Sequence, residues 1–458
     1  MLILAVAATG FAVARSSTDS GHPKARLDSG HKSLDRASRS ASAARARAVK
    51  ARPALRYGRP PASPAEARLQ AAISRALQAA GPASGAFVSD LDTGDELFSA
   101  RASVKRPPAS VEKLWTTTAL MIKLGPDARL HTAVLGTGRL RDGVWHGNLY
   151  LRGGGDPTFG DPTFNQIWNG GRGPTAEQLV AQLARRGIHR VTGWVFADES
   201  LFDQRRGGLL TNYAPDLPDF GGELSALTYD HGSTAPHLSP ATFAAHELVL
   251  VMRSSQIAAR ASWRSATTPA GAHLLAIVSS PPMSAMARLM DVPSDDLFAE
   301  LFTKQLGVLF GTGGTISAGA RVISQTIAAT YGLHPTVLDG SGLSRDDGSS
   351  PLEVVDLLRE LWGTPAGREL IDSLPTVGVD GTVQSIAVKT PARGRCVAKT
   401  GTLDDVTNLA GYCATRGHQT LAFALLIDGP PNWTALVLEG QMVGAIAGYL
   451  PGAGRDHG

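Results

Sequence analysis

The chain has 458 residues, 18% of them charged and 43% hydrophobic, with 51 Gly and 28 Pro; this is material for about three domains and a large core, and it excludes a disordered polymer. The net charge of +4 is unevenly placed: residues 15–59 carry twelve Lys and Arg against three Asp and Glu, a segment charge of +9, and the remaining 32 Lys and Arg against 37 Asp and Glu leave the body at −5. A mildly acidic body without a reader motif or interleaved basic and aromatic residues excludes nucleic acid as a partner of the folded part.

Residues 1–14 form an apolar run ending in Ala12-Val13-Ala14, a small-x-small cleavage pattern. The run is too short to span a bilayer as a helix and lacks a basic leading region; it predicts export, with an uncleaved membrane-proximal anchor as the alternative. Residues 15–62, rich in Ser, Ala, Arg and Gly, predict a flexible basic linker, a solvated spacer that could also lean on anionic polymer or lipid head groups. A helix is expected over 63–80, stopped by Gly81-Pro82, and then a hairpin with strands at 86–91 and 96–98 about the turn Asp92-Thr93-Gly94-Asp95.

The next stretch sets Ser110 and Lys113 three positions apart in Pro108-Ala109-Ser110-Val111-Glu112-Lys113. On a helix opened by Ser110 and continuing to about residue 124, the two side chains share a face, so the hydroxyl can meet the amine. A serine hydroxyl needs a base to become a nucleophile, and a lysine is a base only when burial or a second cation keeps it neutral. Taken alone the pair favours the plainer reading, a capping serine beside a solvated lysine.

Strands are expected at 130–135 and 147–152 about an Asp142-Gly143 turn. Gly153-Gly154-Gly155-Asp156-Pro157-Thr158 reads as a tight turn, because a phosphate loop would need Gly-Lys-Ser/Thr opening a helix. A helix over 175–186 and a strand over 190–196 suggest a small inserted α/β unit. In the loop 207–232, Asp216, Asp219 and Glu223 are weak metal-ligand candidates, better read as solvated carboxylates. Helices follow at 241–253 and 283–290 with a strand at 274–278 between them. Ser294-Asp295-Asp296 then sits between helices, where a serine and a polar residue two further on can point into one cleft, although a plain cap is equally at home there.

Helices are expected at 297–306, 317–331, 351–362 and 433–449, and an antiparallel ladder of strands at 396–402, 406–413 and 419–428. Cys396 and Cys413 are the chain's two cysteines. With the hairpin turn centred between Asp404 and Asp405 they stand directly opposite, which suits a disulfide in an exported protein; two buried free thiols are the alternative.

Ser-x-x-Lys, Ser-x-Asn and Lys-Thr-Gly together are the set shared by penicillin-binding proteins and class A β-lactamases, and the chain carries the three positions in that order as Ser110/Lys113, Ser294/Asp296 and Lys399-Thr400-Gly401. With Gly147-Asn148-Leu149-Tyr150-Leu151-Arg152-Gly153-Gly154-Gly155-Asp156, Asp339-Gly340-Ser341-Gly342-Leu343-Ser344, Asp380-Gly381-Thr382 and Ala398 to Thr402, the chain resembles the class C low-molecular-mass penicillin-binding proteins, the DacB-type D-alanyl-D-alanine carboxypeptidase/endopeptidases. A β-lactamase is disfavoured by the 184 positions between Ser110 and Ser294 and by the lack of a Glu-x-x-x-Asn phrase.

The resemblance implies an α+β transpeptidase-like domain, a five-stranded antiparallel sheet flanked by helices, built from 63–130 and 270–458 with an accessory domain inserted at 131–269. It implies Ser110 as nucleophile, Lys113 as base, Ser294 as proton relay, Lys399 and Thr400 as holders of the substrate carboxylate, and the backbone N–H groups of Ser110 and Thr402 around the oxyanion, with Gly401 completing the strand motif. It implies no metal or other cofactor, peptidoglycan stem peptides as substrate, β-lactams as inhibitors and an extracytoplasmic location. The departure is Asp296, where the family has Asn: an ionised aspartate has no N–H to offer a substrate amide, so a catalytically impaired wall-binding homologue is the alternative. Ser344-x-Asp346 is a second Ser-x-Asp, expected to be a structural turn.

Overall fold

The computed structural model describes residues 61 and 63–451, so the expectations for the apolar leader, and for all but a residue of the linker, lie outside the described residues. Contacts divide the described chain into two compact units, one of residues 63–122, 287–295 and 323–451, the other of residues 123–286 and 296–322. In chain order the strands are β1 Gly85–Asp90, β2 Glu96–Ala100, β3 His131–Arg141, β4 Val144–Arg152, β5 Arg190–Val191, β6 Val195–Asp198, β7 Ala261–Ser265, β8 His273–Ser279, β9 Cys396–Leu403, β10 Val406–Ala414 and β11 Thr420–Asp428.

The first unit is built on the expected five-stranded antiparallel sheet, in the order β2-β1-β11-β10-β9. Successive side chains of a strand point to opposite faces, and here both faces are buried, so the strands read as nearly unbroken apolar runs. On one face Ala86, Val88, Leu409, Phe423, Leu425 and Ile427 meet the helices Pro64–Ala80 and Asn432–Ala447. The first of these starts at Ser63, whose hydroxyl accepts from the Glu66 N–H at 3.1 Å, and its Leu69, Ile73, Ala76, Leu77 and Ala80 form a helical stripe turned inward. Each large apolar side chain so buried contributes about 1.5–3 kcal/mol. The other face carries Ala410, Tyr412 and Leu426 and is packed by the helix Pro351–Leu361, where the Tyr412 hydroxyl donates to the Leu358 carbonyl at 2.8 Å.

The β9–β10 hairpin turns at Asp404-Asp405, so Cys396 and Cys413 stand opposite each other and are joined by a disulfide. The free-thiol alternative is excluded.

The second unit is built on a mixed sheet in the order β7-β6-β4-β3-β8, with β5 beside β4. The β3–β4 hairpin turns at Asp142-Gly143 with φ of 50° and 76°, the left-handed pair that a two-residue hairpin of this twist requires. Strands β4, β6 and β7 are parallel, and the helices Ala176–Arg185 and Pro240–Ser254 serve as their crossovers. Leu179, Leu183, Leu248 and Met252 pack there on Leu149, Leu151, Val195 and Ala276.

The structure differs from the sequence-based expectation in several places. The strand expected over 190–196 is broken into β5 and β6, because Thr192 and Gly193 donate to the carbonyls of Trp145 and Gly147 at the break. Strand β7 and the helices Pro162–Trp168 and Pro365–Ser373 add to the expected elements; each is too short to carry a periodic signal. The units also divide the chain elsewhere than at 130/131 and 269/270: β8 pairs with β3, and the helix Asp296–Phe310 belongs with the same unit. A ladder between strands more than a hundred residues apart leaves no local trace.

Candidate active site

Ser110 does not open the α-helix. It lies in a 3-10 turn, Ala109–Glu112, and the α-helix starts at Lys113 and runs to Lys123. The tighter turn serves the expected pairing at least as well, since residues three apart eclipse in it: Lys113 Nζ lies 2.9 Å from Ser110 Oγ. Lys113 is fully buried and also donates to the Ser341 carbonyl at 2.9 Å. The preceding Pro108 is helical, and Ala109 turns left-handed at φ 47°. A non-glycine residue there costs on the order of 1–3 kcal/mol, so its surroundings must hold it.

They do so from two sides. Asn408 on β10 donates through Nδ2 to the carbonyls of Pro107 (3.0 Å) and Pro108 (2.9 Å), while its Oδ1 accepts from the Ile427 N–H. Gly401 on β9 lies so close that a Cβ there would stand 2.5 Å from the Pro108 carbonyl oxygen. Gly342, at φ 84°, presses on the Ala109 carbonyl in the same way. The phrase around it folds into a turn in which Asp339 accepts from the N–H groups of Gly342 and Ser344, and in which Gly340 and Ser341 present carbonyls to Thr116 and Lys113. Ser344 Oγ caps the Asp346 N–H inside that turn.

The second pair is formed in the same unit. Lys399, fully buried on β9, donates to Ser294 Oγ at 2.7 Å across a separation of 105 positions. Ser294 is also left-handed, at φ 67°. Thr400 donates to Thr382 Oγ1 at 2.7 Å, and the Thr382 N–H donates to the Val292 carbonyl at 3.1 Å. At Gly381 a Cβ would stand 2.4 Å from that same carbonyl oxygen. Strand β9 is the edge of the sheet, and Thr402 near its end is exposed. Asp296 is the first residue of the helix Asp296–Phe310, where an acidic side chain suits the unpaired N–H groups of the first turn.

Buried acids surround these pairs. Asp347 is pushed up to about 12, by burial first and then by the neighbouring charges of Asp339 and Glu112. The Asp291 carboxyl is pushed up to about 6 by burial, against the opposing positive charges of Lys399 and Lys113.

Sequence reasoning singles out neither Asn408, Asp291 nor Thr382. The last has a signal, the Asp380-Gly381-Thr382 phrase; the first two lie in no motif, and only register or packing reveals them. No group of three His, Cys, Asp or Glu able to hold a metal occurs among the described residues. Of the weak candidates in the loop 207–232, Asp216 is buried ahead of a short helix and Glu223 lies 4.0 Å from Arg206 Nε.

Residues 67–257 and 237–447 match the D-Ala-D-Ala carboxypeptidase 3 (S13) family. Carboxypeptidase DacB of Mycolicibacterium smegmatis is 31% identical over 376 residues, covering 76% of this chain and 77% of that protein. The D-alanyl-D-alanine carboxypeptidase of an Actinomadura species is 26% identical over 465 residues, 81% of this chain and 82% of that one. Among solved structures, penicillin binding protein 4 (dacB) from Haemophilus influenzae has the same fold, with a TM-score of 0.68 at 20% identity over 81% of this chain and 97% of that one. That protein complexed with a β-lactam matches with a TM-score of 0.65 at 19% identity, over 83% and 99% of the two chains. The chain belongs to the D-Ala-D-Ala carboxypeptidase 3 (S13) family.

Proposed function

We propose that the protein is a serine D-alanyl-D-alanine carboxypeptidase/endopeptidase that trims peptidoglycan stem peptides outside the cytoplasmic membrane. The observation that carries this reading is the pair of buried lysines in one unit, each within 2.9 Å of a serine hydroxyl, Lys113 with Ser110 and Lys399 with Ser294.

In this reading Ser110 Oγ attacks the carbonyl of the penultimate D-alanine as its proton passes to Lys113. The N–H groups of Ser110 and Thr402 take the oxyanion, each worth about 3 kcal/mol. The C–N bond then breaks as the proton held by Lys113 is relayed through Ser294 to the departing amine, while Lys399 with Thr400 holds the terminal carboxylate. Water hydrolyses the acyl-enzyme and restores Ser110. An extended peptide would lie along the edge strand β9. A β-lactam would acylate Ser110 by the same attack, but its leaving amine stays tethered.

No helix among the described residues is long and apolar enough to cross a membrane. The segment 15–59, with its charge of +9, is where contact with anionic wall polymer or lipid head groups would arise.

Labelling with a fluorescent penicillin tests the reading. The wild-type protein takes one covalent label and Ser110→Ala, equally folded, takes none; a wild type that stays unlabelled at any dose overturns it. The second reading, a wall-binding homologue with impaired turnover, rests on Asp296. Restoring two amide donors with Asp296→Asn raises the acylation rate about tenfold, the worth of roughly one hydrogen bond. An unchanged or lower rate removes the argument for impairment.

A further inference from the structure

Asp291 has no part in the steps above, yet it is fully buried and ends the helix Met283–Asp291 three residues before Ser294. Its Oδ2 accepts from Thr117 Oγ1 at 2.9 Å, across 174 positions, and from Ser373 Oγ at 2.7 Å. Its Oδ1 has no hydrogen-bond partner among the described residues. Thr117 lies one helical turn beyond Lys113, so this carboxyl ties the helix of the first serine–lysine pair to the segment that carries Ser294, the partner of Lys399.

A carboxylate buried with an oxygen to spare is costly unless fixed cations compensate it. The positive charges that oppose burial at this carboxyl are those of Lys399 on β9 and, more weakly, Lys113 on the helix Lys113–Lys123. Both amines are fully buried, where a charge is costly without a counter-charge, so an acid that favours one of them decides which carries the proton.

We propose that Asp291 is a positioning residue for acylation: held by Thr117 and Ser373, its carboxylate is the fixed counter-charge of the two-lysine site and keeps the ammonium on Lys399, which leaves the amine beside Ser110 to take the hydroxyl proton. This rests on the acyl-transfer reading. It adds a residue that touches neither substrate nor nucleophile and acts through the lysines.

The test is the pH profile of penicillin acylation. Asp291→Asn keeps an oxygen for the two hydroxyls and removes the charge. Its alkaline limb moves to lower pH by about one unit, further than its acid limb, and Asp291→Glu returns the limb toward the wild type. Thr117→Val removes one hydrogen bond but not the charge; it lowers the melting temperature and leaves both limbs in place. Limbs unmoved in Asp291→Asn, or moved as far by Thr117→Val, overturn the proposal. If Asp291→Asn does not fold, the double variant Asp291→Asn with Lys399→Gln decides: recovery of folding supports a charge pair, and continued failure overturns it. A wild type that penicillin does not acylate sinks the acyl-transfer reading instead, which keeps the two failures distinct.

Discussion

On one face of the five-stranded sheet, Ala86, Val88, Leu409, Phe423 and Ile427 meet two helices in a predominantly apolar layer that also takes in the disulfide. On the other face, Lys399 and Asn408 are just as deeply buried and reach serine and proline oxygens around the Ser110 turn. The contrast is sharpest in two fully buried carboxyls of this unit. Asp291 accepts from two hydroxyls and has the positive charges of two lysines to oppose its burial; Glu439, on the helix Asn432–Ala447, has neither oxygen hydrogen-bonded among the described residues, and burial pushes it well above the usual carboxylate range. Equal burial thus serves two ends. On the apolar side it holds the sheet together, and on the polar side it keeps charges dry and in place.

If that division holds, substitutions on the two faces separate rate from stability. The largest effect is expected at Gly401, where an added Cβ would stand 2.5 Å from the Pro108 carbonyl oxygen and 2.9 Å from the Val111 nitrogen, both backbone atoms that cannot swing aside. Gly401→Ala pushes β9 off the Ser110 turn, and penicillin acylation falls on the order of 100-fold, as a displacement near one ångström would cause. A rate within a few-fold of wild type would show that the close approach does not matter.

The disulfide is the counterpart on the apolar face. It closes a loop of 17 positions, so Cys396→Ser with Cys413→Ser loses about 3 kcal/mol in urea unfolding. Acylation at 25 °C by the folded fraction stays as in the wild type; a parallel loss of rate would mean that the two faces are not independent.

The smallest effect, and the finest test, is at Glu439. Its folded-state pKa lies above the unfolded one, so the folded protein keeps a proton that the unfolded chain releases. Wild-type stability is therefore greatest below the ordinary glutamate range and declines as pH rises through and beyond it. Glu439→Leu removes that decline and stabilises the protein at pH 7 by about 1–2 kcal/mol, with acylation untouched. Unfolding curves at pH 5 and pH 8 check it: if the variant and the wild type keep the same difference at both values, Glu439 is not the titrating group.

Much of this architecture is legible in the sequence by itself. The spacing of Ser110 and Lys113 brings their side chains together in any helical turn, 3-10 or α, because residues three apart share a face in both. The hairpin about Asp404-Asp405 sets Cys396 against Cys413 by counting alone, since antiparallel register follows from the turn. Such features depend on contacts within a few residues, or on one turn, and the chain's own stereochemistry decides them.

What only the tertiary structure decided is the company those residues keep. Lys399 finds Ser294 across 105 positions and Thr117 finds Asp291 across 174; Asn408 reaches the Pro107 and Pro108 carbonyls from some three hundred positions away. No periodicity encodes such meetings. They arise when separate elements bury their apolar faces together, and the polar groups carried along must then be matched with partners or remain, like Glu439, as a cost that the packing around them has to bear.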